Sequence, residues 1–282
     1  MDYSQRFRVQ PGSSVKLAEI DPDFVPTGAS KTGAEEELRQ SHEEIGKHQF
    51  RMWAEQKHAL LVVLQGLDAA GKDGTIRHVM TGLNPAGCRV TAFKQPTRQE
   101  LAHDFLWRVH PHAPALGEVA VFNRSHYEDV LVVRVHTLVP KAVWSQRYGE
   151  ITGFEEMLHR EGRTTILKFF LHISKVEQLR RFEKRLEDPM RQWKISEDDY
   201  RERDYWDDYQ AAYQDALSKT STEVAPWFVI PSNHKWFRNL AVARILAETF
   251  GAMKIELPRP TVDLKRIREL FHRDSAKRAS TP

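Results

Sequence analysis

The sequence has almost no cysteine and no long apolar run. Cys88 is the single cysteine among 282 residues, so the chain can form no internal disulfide, and we expect a reducing compartment. No apolar run approaches the length of about eighteen residues that a membrane-spanning helix requires. The first ten residues, MDYSQRFRVQ, lack the hydrophobic core of a signal peptide. These absences predict a cytoplasmic protein that does not contact a membrane.

A large excess of charge of one sign is also missing. The formal net charge is +3, with 29% charged and 40% hydrophobic residues, as in an ordinary soluble globular protein. A mildly basic chain suits an anionic ligand without requiring nucleic acid, and the sequence contains no nucleic-acid-binding module that we recognise. It shows no internal repeat or low-complexity block, and it leaves the oligomeric state open, a homo-oligomer included.

What is present is a phosphate-loop pattern in residues 60–75, LLVVLQGLDAAGKDGT. Five apolar residues precede the loop that begins at Gly66, a second glycine follows at Gly71, and Lys72 comes directly after it. In the pattern G-x-x-x-x-G-K-[ST], backbone N–H groups and a helix N-terminus surround an anion while the lysine reaches its outer oxygens. We predict a buried strand, a phosphate-binding loop and a helix start. The alternative is a glycine-rich turn without a ligand.

Two carboxylates modify this pattern. Asp73 stands where a metal-binding hydroxyl is expected, and Asp68 lies inside the loop, where it would repel phosphate unless a cation lay between them. We therefore expect Mg²⁺, with Mn²⁺ as a substitute, held by loop carboxylates. The loop residues that we expect around the phosphates or the nucleotide are Gly66, Ala69, Ala70, Gly71, Asp73 and Gly74.

Strands and helices are predicted to alternate along the chain. Apolar runs predict strands at 60–64, 89–93, 118–122, 165–173 and 227–231. Periodicity and capping patterns predict helices at 32–58, 72–80, 97–110, 175–188, 197–213 and 235–250. This alternation predicts an α/β protein in which helices cover both faces of one parallel sheet. Ligands of such sheets bind beyond the carboxyl ends of the strands.

The chain divides into three parts. Residues 1–34 are polar, contain three prolines and are predicted to form an extended arm lying on the domain. Residues 35–258 are predicted to form one domain with an inserted flap, or lid, at about 183–208. Residues 259–282 form a basic tail, which we expect to be partly disordered.

A second polar cluster follows the third predicted strand. Asn123, Arg124, Glu128 and Asp129 come directly after residues 118–122, where nucleotide-binding folds usually supply their second acidic group. Phosphoryl transfer requires cations and metal-binding carboxylates around the same phosphates, so we expect this cluster to face the loop. The alternative is a solvated helix start, where the helix dipole favours acidic residues.

A third feature is the cationic helix that Ser174 is predicted to cap. Like charges four residues apart, such as Arg181 and Arg185, destabilise an isolated helix by about 0.2–0.5 kcal/mol per pair, and a polyanion would reverse that effect. With Arg191 and Lys194 they could form a movable flap that closes over phosphate and excludes water. Acidic neighbours in the same segment leave open the alternative of a solvated helix without a ligand.

Three motifs, in this order, resemble those of the polyphosphate kinase 2 family. They are residues 66–74, GLDAAGKDG, residues 122–129, FNRSHYED, and residues 192–196, QWKIS. The resemblance spans residues 35–258, and it implies a P-loop kinase-like, three-layer α/β/α fold with a helical lid. It also implies an Mg²⁺-dependent enzyme that moves a phosphoryl group between inorganic polyphosphate and a nucleotide, in either direction.

The resemblance also implies roles for individual residues. Asp68 would help to hold the metal and orient the attacking phosphate of the nucleotide. Lys72 and Arg124 would bind the phosphates during transfer, and these three residues are therefore the catalytic candidates. The lid residues implied to bind polyphosphate are Arg185, Arg191 and Lys194.

One departure from the family pattern bears on the substrate. Many members have Asp where this chain has Asn123, and the motif here continues with Glu128 and Asp129. This pattern resembles the subgroup that phosphorylates both nucleoside mono- and diphosphates, which implies AMP, ADP and ATP as ligands, with guanine nucleotides as further candidates. The lost charge at Asn123 weakens a direct metal role there. The metal ligands then implied are Asp68, Glu128 and Asp129.

Three other functions remain open from the sequence. The first is an ATP-dependent nucleotide or small-molecule kinase of the same fold, although the cations around Arg185 and Lys194 favour a longer polyanion. The second is a non-catalytic nucleotide or nucleic-acid binder, with the basic segment 265–278 contacting phosphate backbones. The third is an α/β protein whose glycine loop is vestigial.

Overall fold

The computed structural model describes residues 1–279, and in this part of the chain five parallel strands form one sheet. Their order is β2-β3-β1-β4-β5. The strands are β1 (Ala59–Gln65), β2 (Cys88–Ala92), β3 (Val119–Asn123), β4 (Thr164–His172) and β5 (Trp227–Pro231). All five predicted strands are confirmed, with ends shifted by no more than one residue.

The first strand, β1, lies at the centre of the sheet. It pairs with β3 on one side and with β4 on the other, and all its residues are buried. A strand that is covered on both faces needs no alternation of polar and apolar side chains. This explains why the sequence before the phosphate loop reads as a continuous apolar run.

Helices cover the sheet in two layers. The helices of the described residues are α1 (Tyr3–Phe7), α2 (Lys31–Glu55), α3 (Lys72–Val79), α4 (Arg98–Leu101), α5 (Val132–Val135), α6 (Lys141–Trp144), α7 (Arg147–Gly162), α8 (Lys175–Glu187), α9 (Glu197–Asp204), α10 (Trp206–Thr220), α11 (Lys235–Ala252) and α12 (Leu264–Ala279). In one layer α2 and α3 pack against α11, and in the other α5 and α7 pack against α10. The predicted three-layer α/β/α fold is confirmed.

The helix predicted at 97–110 is mostly wrong. Thr97 and Glu100 form the capping box of a helix, as its sequence indicates, but that helix ends at Leu101. The Asp104 carboxylate then accepts from the backbone N–H groups of Leu106 and Trp107. A side chain that takes these donors replaces the helical hydrogen bonds, so the chain continues in turns.

The helix predicted at 197–213 is divided in two. A capping box of Ser196 and Asp199 begins α9, as expected, but α9 ends at Asp204 and α10 begins at Trp206. Tyr205 between them donates its N–H to Glu202, three residues back, in place of a helical bond. The break buries Trp206 while no residue of α9 is buried. Tertiary burial therefore decides the break, which local propensity did not indicate.

The two ends of the chain also differ from expectation. The N-terminal arm lies on the domain, as predicted, but its residues Tyr3–Phe7 form a helix rather than an extended segment, and Phe7 and Val9 are buried. The tail, which we expected to be partly disordered, forms the helix Leu264–Ala279, in which residues 264–275 are almost all exposed, and residues 280–282 lie outside the described part of the chain. No helix within the described residues is both long and apolar enough to span a membrane.

Candidate functional site

The candidate site lies at the carboxyl ends of β1 and β3. The phosphate loop follows β1, and the second polar cluster follows β3, its neighbour in the sheet. Gly66, Asp68, Arg124 and Glu128 line one cavity between these segments. The structure therefore brings together two groups of residues that the sequence places more than fifty positions apart.

The phosphate loop ends on a glycine that leaves no room for a side chain. Gly71 is the N-cap of α3 with φ +107°, a conformation that L-residues rarely adopt, and a Cβ there would lie 1.9 Å from Nη1 of Arg238. Lys72 follows, and its Nζ donates to the carbonyl oxygen of Gly66 at 2.6 Å. The ammonium group thus lies across the loop beside the N-terminus of α3, the end of a helix that attracts anions.

The charge of Lys72 has no carboxylate partner among its hydrogen bonds in the described chain. Its two acceptors are the carbonyl oxygens of Gly66 and Leu67. Burial lowers the pKa of this lysine to about 8, and the positive charge of Arg124 acts in the same direction. An anion bound in the loop would raise the pKa again, because it stabilises the charged form.

Arg124 joins the two acidic positions of the cavity. Its Nη2 lies 2.7 Å from Oδ1 of Asp68, and its Nη1 lies 3.1 Å from Oε2 of Glu128. The backbone of Arg124 is left-handed, with φ +59°, and its N–H donates to the carbonyl oxygen of Leu64 at 3.0 Å. Glu128 raises the pKa of Arg124 above its ordinary value, so the guanidinium keeps its charge.

The side chains of Asp73 and Asn123 connect the loop to the lid. Asn123 donates its amide N–H to Oδ1 of Asp73 at 2.8 Å. The other oxygen of Asp73 lies 3.5 Å from Nζ of Lys194. Lys194 is therefore the lid cation that reaches the start of α3.

The third implied metal ligand, Asp129, is not among the residues that line the cavity. Its carboxylate accepts from Nη1 of Arg147 at 2.9 Å, and its carbonyl accepts from the same nitrogen at 3.1 Å. Burial raises the pKa of Asp129 to about 6, although the nearby arginine opposes that shift. Asp68 and Glu128 line the cavity and Asp129 does not, so the first two are the better placed to hold a metal there.

The other two lid cations that the resemblance implied make contacts within the lid. Arg185 donates to the carbonyl oxygen of Lys194 at 3.1 Å and lies 3.9 Å from Asp199. Arg191 pairs with Asp188 at 2.8 Å and is more than half exposed. Neither residue lines the cavity, and their role toward polyphosphate stays a prediction.

Arg181 does not face a polyanion, contrary to our expectation for the cationic helix. Its side chain is 6% exposed, and its guanidinium donates to carbonyl oxygens of the phosphate loop and to the carboxylate of Glu177. The positive charge of Arg181 is therefore compensated by acceptors of the protein itself, and its repulsion with Arg185 needs no polyanion to offset it. Nothing in the local sequence showed that this arginine turns inward.

Three aromatic residues of the cavity were missed by the sequence analysis. Trp206, Tyr209 and Tyr213 line it from α10. Glu202 joins them and accepts from the hydroxyl of Tyr209 at 2.7 Å. Spacings of three and four residues place these aromatic rings on one face of a helix, and this signal could have found them. They form the flat, apolar wall of an otherwise charged site.

A buried polar cluster lies beneath residues 124–129, the segment that follows β3. Lys168 of β4 contacts Glu155 of α7 at 2.6 Å, and both side chains are almost completely buried. The hydroxyl of Tyr127 donates to Glu155 at 2.9 Å and accepts from Lys168 at 2.8 Å, while Nε2 of His126 lies 3.3 Å from Glu155. This cluster holds His126 and Tyr127, two of the three residues between Arg124 and Glu128, against the sheet.

The carboxylates of the cavity fit a metal ion whose remaining ligands are water and substrate phosphates. Asp68 and Glu128 present carboxylate groups to the same cavity. Within residues 1–279 no group of three His, Cys, Asp or Glu side chains is placed to hold a metal by itself. Mg²⁺ is usually bound by one or two carboxylates together with water and substrate phosphates. Two carboxylates beside a phosphate loop therefore suit Mg²⁺.

The fold and the site define a class of protein. A parallel sheet, a glycine loop that ends in Lys72 at the start of α3, and charged residues after the neighbouring strand are the features of a P-loop protein of the kinase-like α/β/α class. A family model described as Polyphosphate kinase 2 matches residues 28–258. This match covers more than half of the chain, so the chain belongs to the polyphosphate kinase 2 family, as its three motifs indicated.

Individual relatives agree with this assignment. The chain is 50% identical to the AMP/ADP-polyphosphate phosphotransferase of Meiothermus ruber, over 93% of this chain and 98% of that protein. It is 44% identical to the ADP-polyphosphate phosphotransferase of Rhodopseudomonas palustris, over 92% and 93% of the two chains. The crystal structure of polyphosphate kinase 2 from Arthrobacter aurescens TC1 superimposes with a TM-score of 0.93 at 41% identity, covering 97% of each chain.

Proposed function

We propose that this protein is a polyphosphate-dependent nucleotide kinase. It transfers a phosphoryl group from inorganic polyphosphate to ADP and AMP, and in the reverse direction from ATP to polyphosphate. The observation that carries the proposal is the contact of Arg124 with both Asp68 and Glu128 in one cavity, beside the ammonium group of Lys72. Membership of the family and the names of its relatives support the proposed substrates.

The proposed reaction is a direct, in-line transfer. An oxygen of the nucleotide's terminal phosphate attacks the terminal phosphorus of polyphosphate, the new P–O bond forms, and the anhydride bond to the rest of the polymer breaks. Such an oxygen is already ionised near neutral pH, so no strong general base is needed. The protein supplies alignment and neutralises charge, which are the main contributions in phosphoryl transfer.

We propose that two cations act on the phosphate in transfer. Among the described residues Lys72 donates to carbonyl oxygens and to no carboxylate, and it lies at the N-terminus of α3, so it can exchange these contacts for phosphate oxygens. Arg124 is held between Asp68 and Glu128, and a guanidinium fork matches two phosphate oxygens. We propose that these cations stabilise the charge of the transition state, while the aromatic wall of α10 contacts the nucleotide.

We propose Mg²⁺ as the cofactor, with Mn²⁺ as a substitute. Asp68 and Glu128 are the residues that would hold it, because both line the cavity. When bound, a divalent ion neutralises phosphate charge and orients the reacting groups. Asp129 does not line the cavity and stays outside this proposed set.

The lid supplies the proposed contacts to the polymer. Lys194 reaches Asp73 at the start of α3, and Arg185 holds the lid backbone at Lys194. A donor of many phosphates needs more cations than the three phosphates of ATP. This is why we favour polyphosphate over ATP as the phosphoryl donor.

A reaction without added ATP tests the proposal. Purified protein is mixed with Mg²⁺, ADP and polyphosphate, and ATP formation is followed by luciferase. We expect ATP to form, and we expect Asp68→Asn to reduce its formation by about 100-fold or more with the fold preserved. No ATP from wild-type protein, together with activity on an ATP donor, would establish the ordinary ATP-dependent kinase instead.

The acceptor is tested separately. AMP, ADP, GMP and GDP are compared at equal concentration with polyphosphate as donor, and the products are separated by anion-exchange chromatography. Products from both AMP and ADP are expected. Phosphorylation of ADP alone would contradict the proposed AMP activity without affecting the polyphosphate donor.

A further inference from the structure

Arg181 uses every N–H donor of its side chain inside the protein. Its Nε donates to Oε1 of Glu177 at 2.7 Å. One terminal nitrogen donates to the carbonyl oxygens of Ala69 and Ala70, at 2.8 and 2.9 Å. The other donates to those of Ser232 and Asn233, at 2.5 and 3.1 Å. A guanidinium group has five N–H donors, so this side chain has none left for a ligand.

The acceptors of Arg181 belong to two segments that flank the site. Ala69 and Ala70 are the last two residues of the phosphate loop before Gly71, and Ser232 and Asn233 follow β5. The guanidinium plane therefore joins the loop after the central strand to the connection after the edge strand. Because α8 carries Arg181 and leads into the lid, the same side chain also joins the lid helix to the loop.

Other side chains complete this support on the carbonyl side of the loop. Gln178, one turn before Arg181 on α8, donates to the carbonyl oxygen of Asp68 at 3.0 Å. Arg238 of α11 donates to the carbonyl oxygen of Ala70 at 3.2 Å. Three successive carbonyl groups, those of residues 68, 69 and 70, are thus held by side chains from outside the loop.

These contacts help to fix where the N–H groups of Ala69 and Gly71 point, whereas that of Ala70 donates to the carbonyl oxygen of Leu67 within the loop. In a planar trans peptide the C=O and the following N–H point in opposite directions. A carbonyl of Ala70 that is held by Arg181 therefore turns the N–H of Gly71 away from Arg181. A phosphate site depends on several such N–H groups converging on one anion, so a loop free to rotate its peptides would bind phosphate less well.

We propose that Arg181 is a positioning residue of the phosphate loop and couples it to the lid helix. It touches no substrate atom; it acts through the orientation of the loop's peptide groups. The inference rests on the proposed phosphoryl transfer only for its kinetic consequences, because the orientation of the loop is also measurable as nucleotide binding.

The neighbouring Arg180 offers a matched control. It has the same charge, lies on the same helix and pairs with the same carboxylate, that of Glu177. Its side chain is 58% exposed, whereas that of Arg181 is 6% exposed, and Arg180 makes no hydrogen bond to the loop in the described structure. The two substitutions remove the same charge from the same helix, but only Arg181→Ala removes contacts with the loop.

The first experiment compares Arg181→Ala with Arg180→Ala in steady-state kinetics of ATP formation from ADP and polyphosphate. Arg181→Ala is expected to lower kcat by about 100-fold, a typical effect of misplaced groups around a reacting centre, with KM for polyphosphate changed by less than about threefold. Arg180→Ala is expected to stay within about threefold of wild type in both constants. A higher KM for polyphosphate with an unchanged kcat would make Arg181 a polyanion ligand and overturn the proposal.

Added guanidinium gives a readout that a merely structural role would not move. Millimolar guanidinium chloride is expected to restore at least about tenfold of the lost kcat of Arg181→Ala, because the ion can occupy the vacated position between the carbonyl groups. Sodium chloride at the same concentration should not, and neither salt should raise the activity of Arg180→Ala. Equal effects of the two salts on Arg181→Ala would contradict the proposal.

Arg181→Lys keeps the experiment decisive if Arg181→Ala does not fold. An ammonium group keeps the charge but cannot span two pairs of carbonyl oxygens as a planar fork does. We expect a folded variant whose kcat is lowered by about tenfold or more. Wild-type kcat in Arg181→Lys would show that charge alone suffices and would overturn the proposed positioning role.

ADP-induced thermal stabilisation separates this inference from the proposed activity. ADP with Mg²⁺ is expected to raise the Tm of wild type and Arg180→Ala, and to raise that of Arg181→Ala or Arg181→Lys much less, since ligand stabilisation follows affinity. If wild type uses no polyphosphate but shows this pattern, the proposed donor is wrong and the positioning role holds. An equal rise in Tm for all the variants, with unchanged kcat, overturns it.

Discussion

The two segments that meet at the site are held by different kinds of contact. The phosphate loop after β1 is held by its backbone, because Gln178, Arg181 and Arg238 donate to its carbonyl groups. The segment after β3 is held by its side chains, because Tyr127 contacts the buried pair of Lys168 and Glu155. The phosphate loop is therefore held through its neutral carbonyl groups, and the segment after β3 is held through a buried pair of opposite charges.

This difference has consequences for substitution. A backbone carbonyl is present whatever the side chain is, so the loop depends on its glycines and on the donors that come from outside it. A buried ion pair needs both members, since removal of one leaves an uncompensated charge in the interior. We therefore expect changes in the loop to affect activity first, and changes beneath the second segment to affect stability first.

Two lysines that are buried in the described structure, Lys72 and Lys168, show the same contrast. Lys72 donates to the carbonyl oxygens of Gly66 and Leu67, whereas Lys168 contacts the carboxylate of Glu155. An ammonium group that is hydrogen-bonded to neutral carbonyl groups is available to an incoming anion. A charge neutralised inside the core is not, so Lys168 supports the site without taking part in it.

The largest expected effect is that of Lys72→Ala on activity. We expect kcat/KM to fall by about 1,000-fold or more, roughly 4 kcal/mol of transition-state stabilisation, because the substitution removes a cation from the phosphate in transfer. The measurement is steady-state kinetics together with a thermal unfolding curve. Lys57→Ala, at the opposite end of β1 and exposed, is the matched control and should remain active. A Lys72→Ala protein with nearly normal kcat/KM would remove the basis of the proposed mechanism.

The second-largest expected effect concerns the buried pair of Lys168 and Glu155, which supports the segment after β3. We expect Lys168→Met to lower the free energy of unfolding by about 3 kcal/mol, because Glu155 would remain buried without its partner. Denaturant unfolding measures this loss, and the double variant Lys168→Met, Glu155→Leu should recover part of it. A loss below about 1 kcal/mol in the single variant would show that the second segment does not depend on the buried pair.

The third effect concerns the pH dependence that Lys72 should confer. Because the pKa of this lysine is lowered from 10.5 to about 8, kcat/KM, which reports the free enzyme, should fall as pH rises through about 8. A bound phosphate raises this pKa, so kcat should persist to higher pH. Lys72→Arg should remove the fall near pH 8. A kcat/KM that is level from about pH 7 to 9.5 in wild type would contradict the assignment.

The lowered pKa of Lys72 also predicts the direction in which the free energy of unfolding changes with pH. Between pH 8 and 10.5 the unfolded chain binds more protons at Lys72 than the native protein does. The contribution of this residue to the free energy of unfolding therefore increases with pH in that window. Unfolding curves of wild type and Lys72→Met between these pH values isolate it, because the variant lacks the titrating group. The free energy of unfolding of wild type minus that of Lys72→Met should increase with pH, and a decrease would contradict the assigned direction.

The smallest expected effect lies in the lid. Lys194 contacts Asp73 at 3.5 Å from a partly exposed position, and such pairs contribute at most about 1 kcal/mol. We expect Lys194→Ala to raise KM for long polyphosphate by about fivefold and KM for ADP by less than about twofold. Arg201→Ala, on the exposed lid helix α9 and paired within it, is the control. Equal increases in both constants would argue against a lid that follows the polymer.

Much of the fold could be predicted because its signals are local. The apolar run of β1, the glycine spacing of the phosphate loop and the serine cap of α8 each lie within a few neighbouring residues, and each appears in the structure as expected. The alternation of strands and helices then allowed only a parallel sheet with covered faces. The meeting of the two polar segments followed from that topology.

What the sequence could not determine is which partner each charged side chain takes. Arg181 and Asp129 carry the charges that the sequence assigned to ligands, yet the first binds carbonyl groups 111 and 112 positions away and the second binds Arg147. The break at Tyr205 and the inward turn of Trp206 have the same origin. Strands, loops and caps are encoded by neighbouring residues, because backbone hydrogen bonds and φ/ψ preferences act over a few positions. The burial of a charge depends on contacts between distant segments, and only the folded chain brings those segments together.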